Sequence, residues 1–449
     1  ELVKIKLTLL VNFILTLTLA KKIYYKPDYA ELRILNSMAF SANKLWNIAN
    51  YEKNYFQELE FDKFPDDTDQ KKRLKENFWY LNLPSQTAQD VINRLHKGWK
   101  SYFKVKENPD VENPRPPKFK KKGKLFNFTY LNNGFRIIDN MTIRLSVSRK
   151  QKEYMRQRYA IDNNYIYLKT EEFSKIDGKI KTIEFIPVDK DPAKNKAYHI
   201  CISYEIDEPA YKEDNGHHLS IDLGLKNLFT CYDNEGSSFI ISNGRYLEIT
   251  HYFQKEIARY KSIYDKQQKA EEVKYPKLSK RVKKMYEKMD RQIEHFYHTA
   301  TKDIVDYCKE HDITKVVIGD WTNIRKTFES NDSSNQQFHA FPFKKIVDKL
   351  RYKLTLSNIE LIIISEAYSS QTSPFAERVD KEHAAKKKRV ARGNYIDEGI
   401  LFNADSVGAY NIMRLYYQYS DIKKDIPIKG LSDPKKYHTK VSVKPVTYR

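Results

Sequence analysis

LSIDLGLKNLFT, Leu219 to Thr230, is the stretch whose reading decides the fold. A short apolar run delivers Asp222 into a Leu-Gly-Leu turn, and apolar character resumes at once. The pattern reads as a strand carrying one carboxylate on an otherwise apolar edge. Taken alone, it reads equally as a hairpin whose aspartate caps the turn. Two distant segments separate these readings. Ile359 to Glu366, IELIIISE, is a second apolar run that closes on an acid and leads into AYSSQTSP, and Asp405, in NADSVGAYNIMRL, stands where a helix begins. Acids at element ends spread from Asp222 to Asp405 are too far apart for a local cap. They make sense if the fold gathers them around divalent metal, since Mg²⁺ prefers hard oxygen ligands and keeps several waters.

The chain has 449 residues, more than one hydrophobic core usually supports, so two or more domains are expected. Its 80 Lys and Arg against 59 Asp and Glu leave a formal charge of +21. That excess suits a polyanionic partner, because each neutralised phosphate releases counterions; an acidic small substrate would not require it. The 33 Tyr and 23 Phe interleaved with the charge are suited to stacking on bases. The three cysteines, Cys201, Cys231 and Cys308, include no close pair, so neither a disulfide framework nor a CxxC zinc site is built from them. A cytoplasmic, nucleoid-associated location follows as the expectation. Leu7 to Ala20 mimics the centre of a signal peptide but is too short to span a membrane, lacks a strong basic flank, and alternates like a strand near its end.

From Tyr29 the apolar spacing is helical, and Pro84-Ser85 opens a helix with Ser85 expected as N-cap. Ala88, Val91, Ile92, Leu95, Trp99 and Phe103 form its stripe, with Arg94, Lys97 and Lys100 opposite. In ENPDVENPRPPKFKKKGK, Glu107 to Lys124, the prolines forbid helix and stiffen the chain. The segment is either a solvated linker or an extended basic strip in which Arg115, Lys118, Lys120, Lys121, Lys122 and Lys124 meet a phosphate backbone. Phe126 to Ile206 carries six short runs with strand alternation, expected to close into a small barrel with the strand near the N-terminus. Asp207 to His217 is polar and turn-rich, the expected domain boundary. Beyond it come long helices over Tyr246 to Asp312, a short buried strand KVVIGD, and a tail past Asp421 expected to be disordered or associated with RNA.

IDLGLKNLFT, SEAYSSQTSP and NADSVGAYNI resemble the split nuclease motifs of the transposon-encoded TnpB proteins, RNA-guided DNA endonucleases similar to the miniature type V CRISPR effectors. LPSQTAQDVINRL and RPPKFKKKG carry the resemblance into the first half. It implies a fold of α/β plus β-barrel class. An RNase H-like, RuvC-type nuclease domain would occupy 209–420, and an oligonucleotide-binding wedge barrel 1–28 and 125–208. A helical recognition lobe with basic linker would occupy 29–124, a degenerate zinc-ribbon-like insert 369–400 and a basic tail 421–449. It also implies two Mg²⁺ ions, a guide RNA and double-stranded target DNA as partners, and no membrane. Two-metal hydrolysis of a phosphodiester holds ions about 4 Å apart. Asp222 would bridge both, and Asp405 would bind one.

The third acid departs from the family's commoner pattern. Many relatives carry Glu at the end of the fourth strand, where this chain has Gly319 followed by Asp320. One step along a strand turns a side chain to the opposite face. Glu366 ends the following strand, and if the two strands lie side by side, about 4.8 Å apart, its side chain largely covers the gap. Glu366 is therefore preferred, with Asp320 as the alternative. The family's zinc ribbon is also altered, because Ser373 and Ala376 replace the first cysteine pair and no cysteine follows Cys308. No zinc is expected, and Lys381, Lys386, Lys387, Lys388, Arg389 and Arg392 would lie near a substrate strand. Arg325 is a candidate phosphate clamp, and Gln371 a candidate to touch substrate or orient Asp405. The function implied is RNA-guided DNA endonuclease. The alternatives are a CRISPR-associated effector of the same architecture and a cleavage-deficient RNA-guided DNA-binding repressor, against which the intact acids argue.

Overall fold

The computed structural model describes residues 16–437 apart from 110, 208, 274–276, 321–340 and 385–392. The chain divides into two compact units, Glu1–Glu208 and Pro209–Arg449.

The first unit opens with β1 (Thr16–Tyr25) and α1 (Tyr29–Asn54). Asp28 starts α1 through a reciprocal capping box, in which its carboxylate accepts from the Glu31 N–H and the Glu31 carboxylate accepts from the Asp28 N–H. After α2 (Asp67–Leu74) and α3 (Phe78–Leu81) comes α4 (Ser85–Lys106). The cap of α4 corrects the sequence reading. Pro84 is the N-cap and Ser85 the first helical residue, whose hydroxyl accepts from Gln89 Nε2. Arg94 is not on an outward basic face either; it pairs with Glu184 at 3.1 Å and lies over the Phe126 ring.

The proline-rich segment is extended because α1 holds it by its backbone. Asn43, Asn47 and Asn50 lie on one stripe of α1. Their amides donate to the carbonyls of Lys121, Lys120 and Pro117, and Trp46 Nε1 donates to the carbonyl of Lys118. Carbonyls without a ladder partner are thereby satisfied.

The strands that follow are β2 (Phe128–Leu131), β3 (Phe135–Ile137), β4 (Thr142–Ser146), β5 (Tyr165–Lys169), β6 (Lys179–Pro187) and β7 (Tyr198–Asp207), with α5 (Arg149–Tyr159) between β4 and β5. They pair into a four-stranded sheet of order β1-β7-β6-β2 and a separate three-stranded sheet β3-β4-β5, rather than one closed ladder. Helix α5 escaped the sequence reading because only Gln151 and Met155 of it are buried, although Ser148 and Gln151 spell its N-cap.

The second unit is built on a six-stranded sheet. Its elements are β8 (His218–Leu223), β9 (Asn227–Asp233), β10 (Ser238–Ser242), α6 (Gly244–Ala270), α7 (Lys280–Glu310), β11 (Lys315–Gly319), α8 (Phe343–Thr355), β12 (Glu360–Ile364), β13 (Asn394–Asp397), β14 (Ile400–Asn403), α9 (Ala404–Tyr419) and β15 (Lys435–Tyr437). The order is β12-β11-β8-β9-β10-β15. Strands β8, β9 and β10 run antiparallel in sequence, whereas β11 and β12 add to β8 in parallel. Leu219, Ile221 and Leu223 point to one face, packed with Phe296, Ala300 and Ile304 of α7 and Ile346 and Leu350 of α8. The other face is covered by α9, through Val407, Ile412 and Met413 against Val317 and Tyr232. Burial on both faces is why the β11 sequence, KVVIG, is almost continuously apolar.

The segment 421–437 corrects the expectation of a disordered tail. Ile422, Ile426 and Ile428 pack on the α9 core with fully buried Leu431, the Leu431 carbonyl accepts from the Asn403 N–H at 2.8 Å, and β15 pairs with β10. Apolar residues spaced among lysines had disguised a packed strap.

Asn50 is fully buried and also accepts from Trp99 Nε1 at 2.9 Å. Asn50→Ala strands that indole N–H and the Pro117 carbonyl, a loss of about 2–4 kcal/mol. A lowered thermal midpoint and faster proteolysis within 107–124 are expected; an unchanged midpoint would show that the segment is not fastened there.

Candidate active site at the carboxyl end of the parallel strands

Alternation along β8 decides where Asp222 points. Leu219, Ile221 and Leu223 face α7 and α8, so Ser220 and Asp222 face α9. Ser220 donates its hydroxyl to the Ala409 carbonyl at 2.7 Å, and Asp222 lies against Gly408, where an added Cβ would fall 2.6 Å from Oδ2. Gly408 therefore leaves room for the carboxylate. Only a residue without a side chain lets the helix approach so closely.

The neighbouring strands continue the same level. Ile318 of β11 is registered with Ile221 and Gly319 with Ile364 of β12, which places Gly319 beside Asp222 on the face towards α9. Two residues past Ile364, the side chain of Glu366 folds back over Gly319. A Cβ there would enter its carboxylate and lie 3.1 Å from its own Cβ. The parallel pairing of β11 with β12 supplies the lateral step that the relocated acid needs. Asp320 lies just beyond the strand, and its N–H extends the ladder to the Ile364 carbonyl at 2.7 Å. Its carboxylate is near enough to act on Glu366: burial first, and the charge of Asp320 second, raise the Glu366 carboxyl to about 7.

Asp405 occupies the first turn of α9. The side chain of Asn403 caps that helix, accepting from the N–H groups of Asp405 and Ser406. Asn227, at the start of β9, donates to Asp405 Oδ2 at 2.8 Å. This orienting contact joins the two motifs. Asn227 was missed as a functional residue although it lies five positions after Asp222 in the same quoted stretch.

The structure thus brings Asp222 and Glu366 to one strand end and Asp405 to the helix that covers it, with Asp320 beside Glu366. The donor set is all hard carboxylate oxygen, which fits Mg²⁺ in chemistry. Among the described residues, no group of three or more His, Cys, Asp and Glu stands close enough to form a ready metal cage.

The other candidates divide. Gln371 follows the 366–369 turn, and its carbonyl accepts from the Tyr395 hydroxyl at 3.4 Å. Arg115, Lys118, Lys121 and Lys122 are exposed. Lys120 instead lies over the rings of Trp46 and Phe126, and Lys124 pairs with Asp191 at 2.8 Å. Arg325, Lys386, Lys387, Lys388, Arg389 and Arg392 lie outside the described residues. In the insert, Ser373 bonds to the Asp397 carboxylate, and Arg414 donates to the carbonyls of Ser373 and Ala376. The hairpin β13-β14 turns through Glu398 and Gly399, both at positive φ.

A family model described as "Probable transposase" matches residues 201–325, and one described as "Cas12f1-like, TNB domain" matches 343–412. A TnpB-like protein of Acidianus two-tailed virus is 23% identical over 421 residues, covering 86% of this chain and 84% of that protein. Cas12f1, solved in a complex with sgRNA and target DNA, superposes with a TM-score of 0.50 at 15% identity, over 85% of this chain and 81% of that one. The architecture is of the RuvC/RNase H-like class with an OB-fold wedge. Across these matches the chain is similar to the TnpB/Cas12f-like, transposon-associated proteins. Among the described residues, no helix is long and apolar enough to cross a membrane.

A carboxyl raised from its usual 4.5 to about 7 lets the folded chain hold a proton that the unfolded chain has released. Its stabilising contribution is full below the unfolded value and is lost as pH rises through about 7. In metal-free buffer Glu366→Gln should therefore stabilise the protein relative to wild type at about pH 8, by on the order of 3 kcal/mol, with the difference vanishing towards about pH 4. Denaturant midpoints measured in EDTA across that range would test it. Equal midpoints throughout would mean that Glu366 is not held in a buried, like-charged site.

Proposed function

We propose that this protein is an RNA-guided DNA endonuclease that hydrolyses phosphodiester bonds at Asp222, Glu366 and Asp405. Three placements support the reading: Asp222 stands level with Gly319 in the strand register, Glu366 folds back over Gly319, and the helix that begins at Asp405 lies on Asp222 through Gly408. The three carboxylates would hold Mg²⁺, which when bound supplies Lewis acidity and a more acidic water. Asn227 keeps Asp405 aimed, and Gly408 admits Asp222. Asp320 holds Glu366 ready to exchange its proton for a cation. A guide RNA would select double-stranded target DNA by base pairing, as RNA-guided systems divide that labour. Phosphate contacts would come from the exposed residues of the 115–122 strip and from the basic stretch 386–392.

One observation favours a second reading. Without a group of three acids already gathered among the described residues, the chain also suits an RNA-guided DNA-binding protein that does not cut. Purification with co-expressed RNA, sequencing of that RNA, and incubation with matched duplex DNA and Mg²⁺ separates the two. Cutting that is lost in Asp222→Ala, Glu366→Ala and Asp405→Ala, with DNA binding retained, supports the nuclease. Binding without cutting by wild type supports the alternative. Cutting by Glu366→Ala beside an inactive Asp320→Ala would transfer the role to Asp320.

Gly408→Ala would push the Asp222 carboxylate aside without removing any acid. A drop in cutting rate of about 10- to 100-fold is expected, as for loss of a group that orients a metal ligand. A rate equal to wild type would remove Asp222 from the site.

A further inference from the structure

The small sheet β3-β4-β5 buries one face and leaves the other open. Ile143, Leu145, Ile166 and Leu168 point inward and are at most 1% exposed. Alternation then places Arg144 of β4 and Tyr165, Tyr167 and Lys169 of β5 on the outer face. The register sets Arg136 of β3 opposite Arg144, and Arg144 opposite Tyr167. Tyr165 and Tyr167 are 38% and 43% exposed. The Arg144 guanidinium lies 4.4 Å from the centre of the Tyr165 ring, and the Lys152 ammonium, from α5, lies 5.4 Å from the same ring.

The paired arginines break a rule of sheet surfaces. Like charges directly opposite one another across antiparallel strands are destabilising. An acid alongside would relieve them, yet none stands among the outward residues of β4 and β5, and among the described residues neither arginine forms an ion pair. Asp139, in the turn between β3 and β4, is near enough to Lys169 for the two charges to interact, but the arginine pair has no such acid among the described residues. Two exposed tyrosines beside this arginine pair complement an external strand with anionic linkages and flat apolar faces. Where a local rule is broken without compensation, a ligand is the natural counterpart.

We propose that this face binds an unpaired stretch of nucleic acid, with bases stacked on Tyr165 and Tyr167 and phosphates held by Arg136, Arg144 and Lys169. Stacking on aromatic rings is tolerant of sequence, and the arginines add charge neutralisation that salt weakens. A duplex offers no free base faces to the rings, so the face favours single strands. The inference rests on the nucleic-acid reading above and is independent of the acidic site.

The test uses the full chain in EDTA, so that no cutting intervenes. The probes are oligouridine carrying 5-iodouridine, oligothymidine of equal length, and a duplex of that length. Photo-cross-links should map to Tyr165 or Tyr167. Tyr165→Ala with Tyr167→Ala should weaken single-strand binding by about 10-fold or more, whereas the double Phe variant, which keeps the rings, should bind as wild type. Arg136→Ser with Arg144→Ser should flatten the log–log salt dependence by about 1.4, the release expected for two phosphates on a single strand, without lowering the thermal midpoint. The two single-stranded probes distinguish RNA from DNA as the strand bound. Cross-links found only elsewhere, wild-type affinity in the double Ala variant, or tighter binding of the duplex would each overturn the proposal. Single-strand binding by a chain that never cuts would leave this inference standing and sink the nuclease reading; cutting with no effect of the tyrosines would do the reverse.

Discussion

The arrangement depends on how closely α9 lies on β8. Ser220 and Asp222 are polar residues that β8 turns towards that helix beside His218, and each of the two meets a small residue, Ala409 through its carbonyl and Gly408 through its missing side chain. A larger residue at position 408 would separate helix from sheet or displace the carboxylate. The apolar packing on the opposite face fixes the strand, so strain could not be shared by shifting it. A carboxylate held in a tight, partly dehydrated place is costly unless a cation or proton compensates it. The nearness of Asp320 to Glu366 at this end of the sheet is therefore a feature that packing alone would not select.

Much of this was legible in the sequence because the relevant signals are local. The apolar run broken by Asp222, the acid closing IELIIISE and the acid after Asn403 each announce an element end, and strand period and helix capping act over a few residues. The Glu366 reading followed from strand spacing once β11 and β12 were taken as neighbours. What escaped depends on partners far away in the chain. The alternating runs from Phe128 to Asp207 are real strands, but alternation does not say which strand pairs with which, and the two sheets divide them in a way no single run specifies. Asn227 was overlooked because an amide in a turn is ordinary until the helix bearing Asp405 is placed beside it. Lys120 and Lys124 show the converse. In a run of lysines the charge is visible, whereas the aromatic rings and the aspartate that engage two of them are contributed by distant segments.

Helix α9 explains how one short element organises several segments. Asp405, Gly408, Asn411 and Arg414 are spaced by three, a step that winds around a helix of 3.6 residues per turn instead of tracing a stripe. They therefore address different neighbours: the acidic end through Asp405, strand β8 through Gly408, and the turn after Glu366 through Asn411, whose amide donates to the carbonyls of Ser369 and Thr372 at 2.7 and 2.8 Å. Arg414 takes the next step, to the insert. Further along, the Tyr417 hydroxyl meets His218 and Asn234 at the opposite end of β8, where Asp214 joins His218 to Lys315. Hydrogen bonds involving a charged group contribute about 1.5–3 kcal/mol each when buried. A helix buried on nearly all sides is expected to be apolar all round. The polar residues of α9 are tolerated because each satisfies a backbone or side-chain group of another segment. Through them the turn that carries Glu366, the strand that carries Asp222 and the helix that carries Asp405 are fastened to one rigid body. Their relative positions are thus set by secondary structure and buried hydrogen bonds, which is the kind of support that a site needing sub-ångström placement requires.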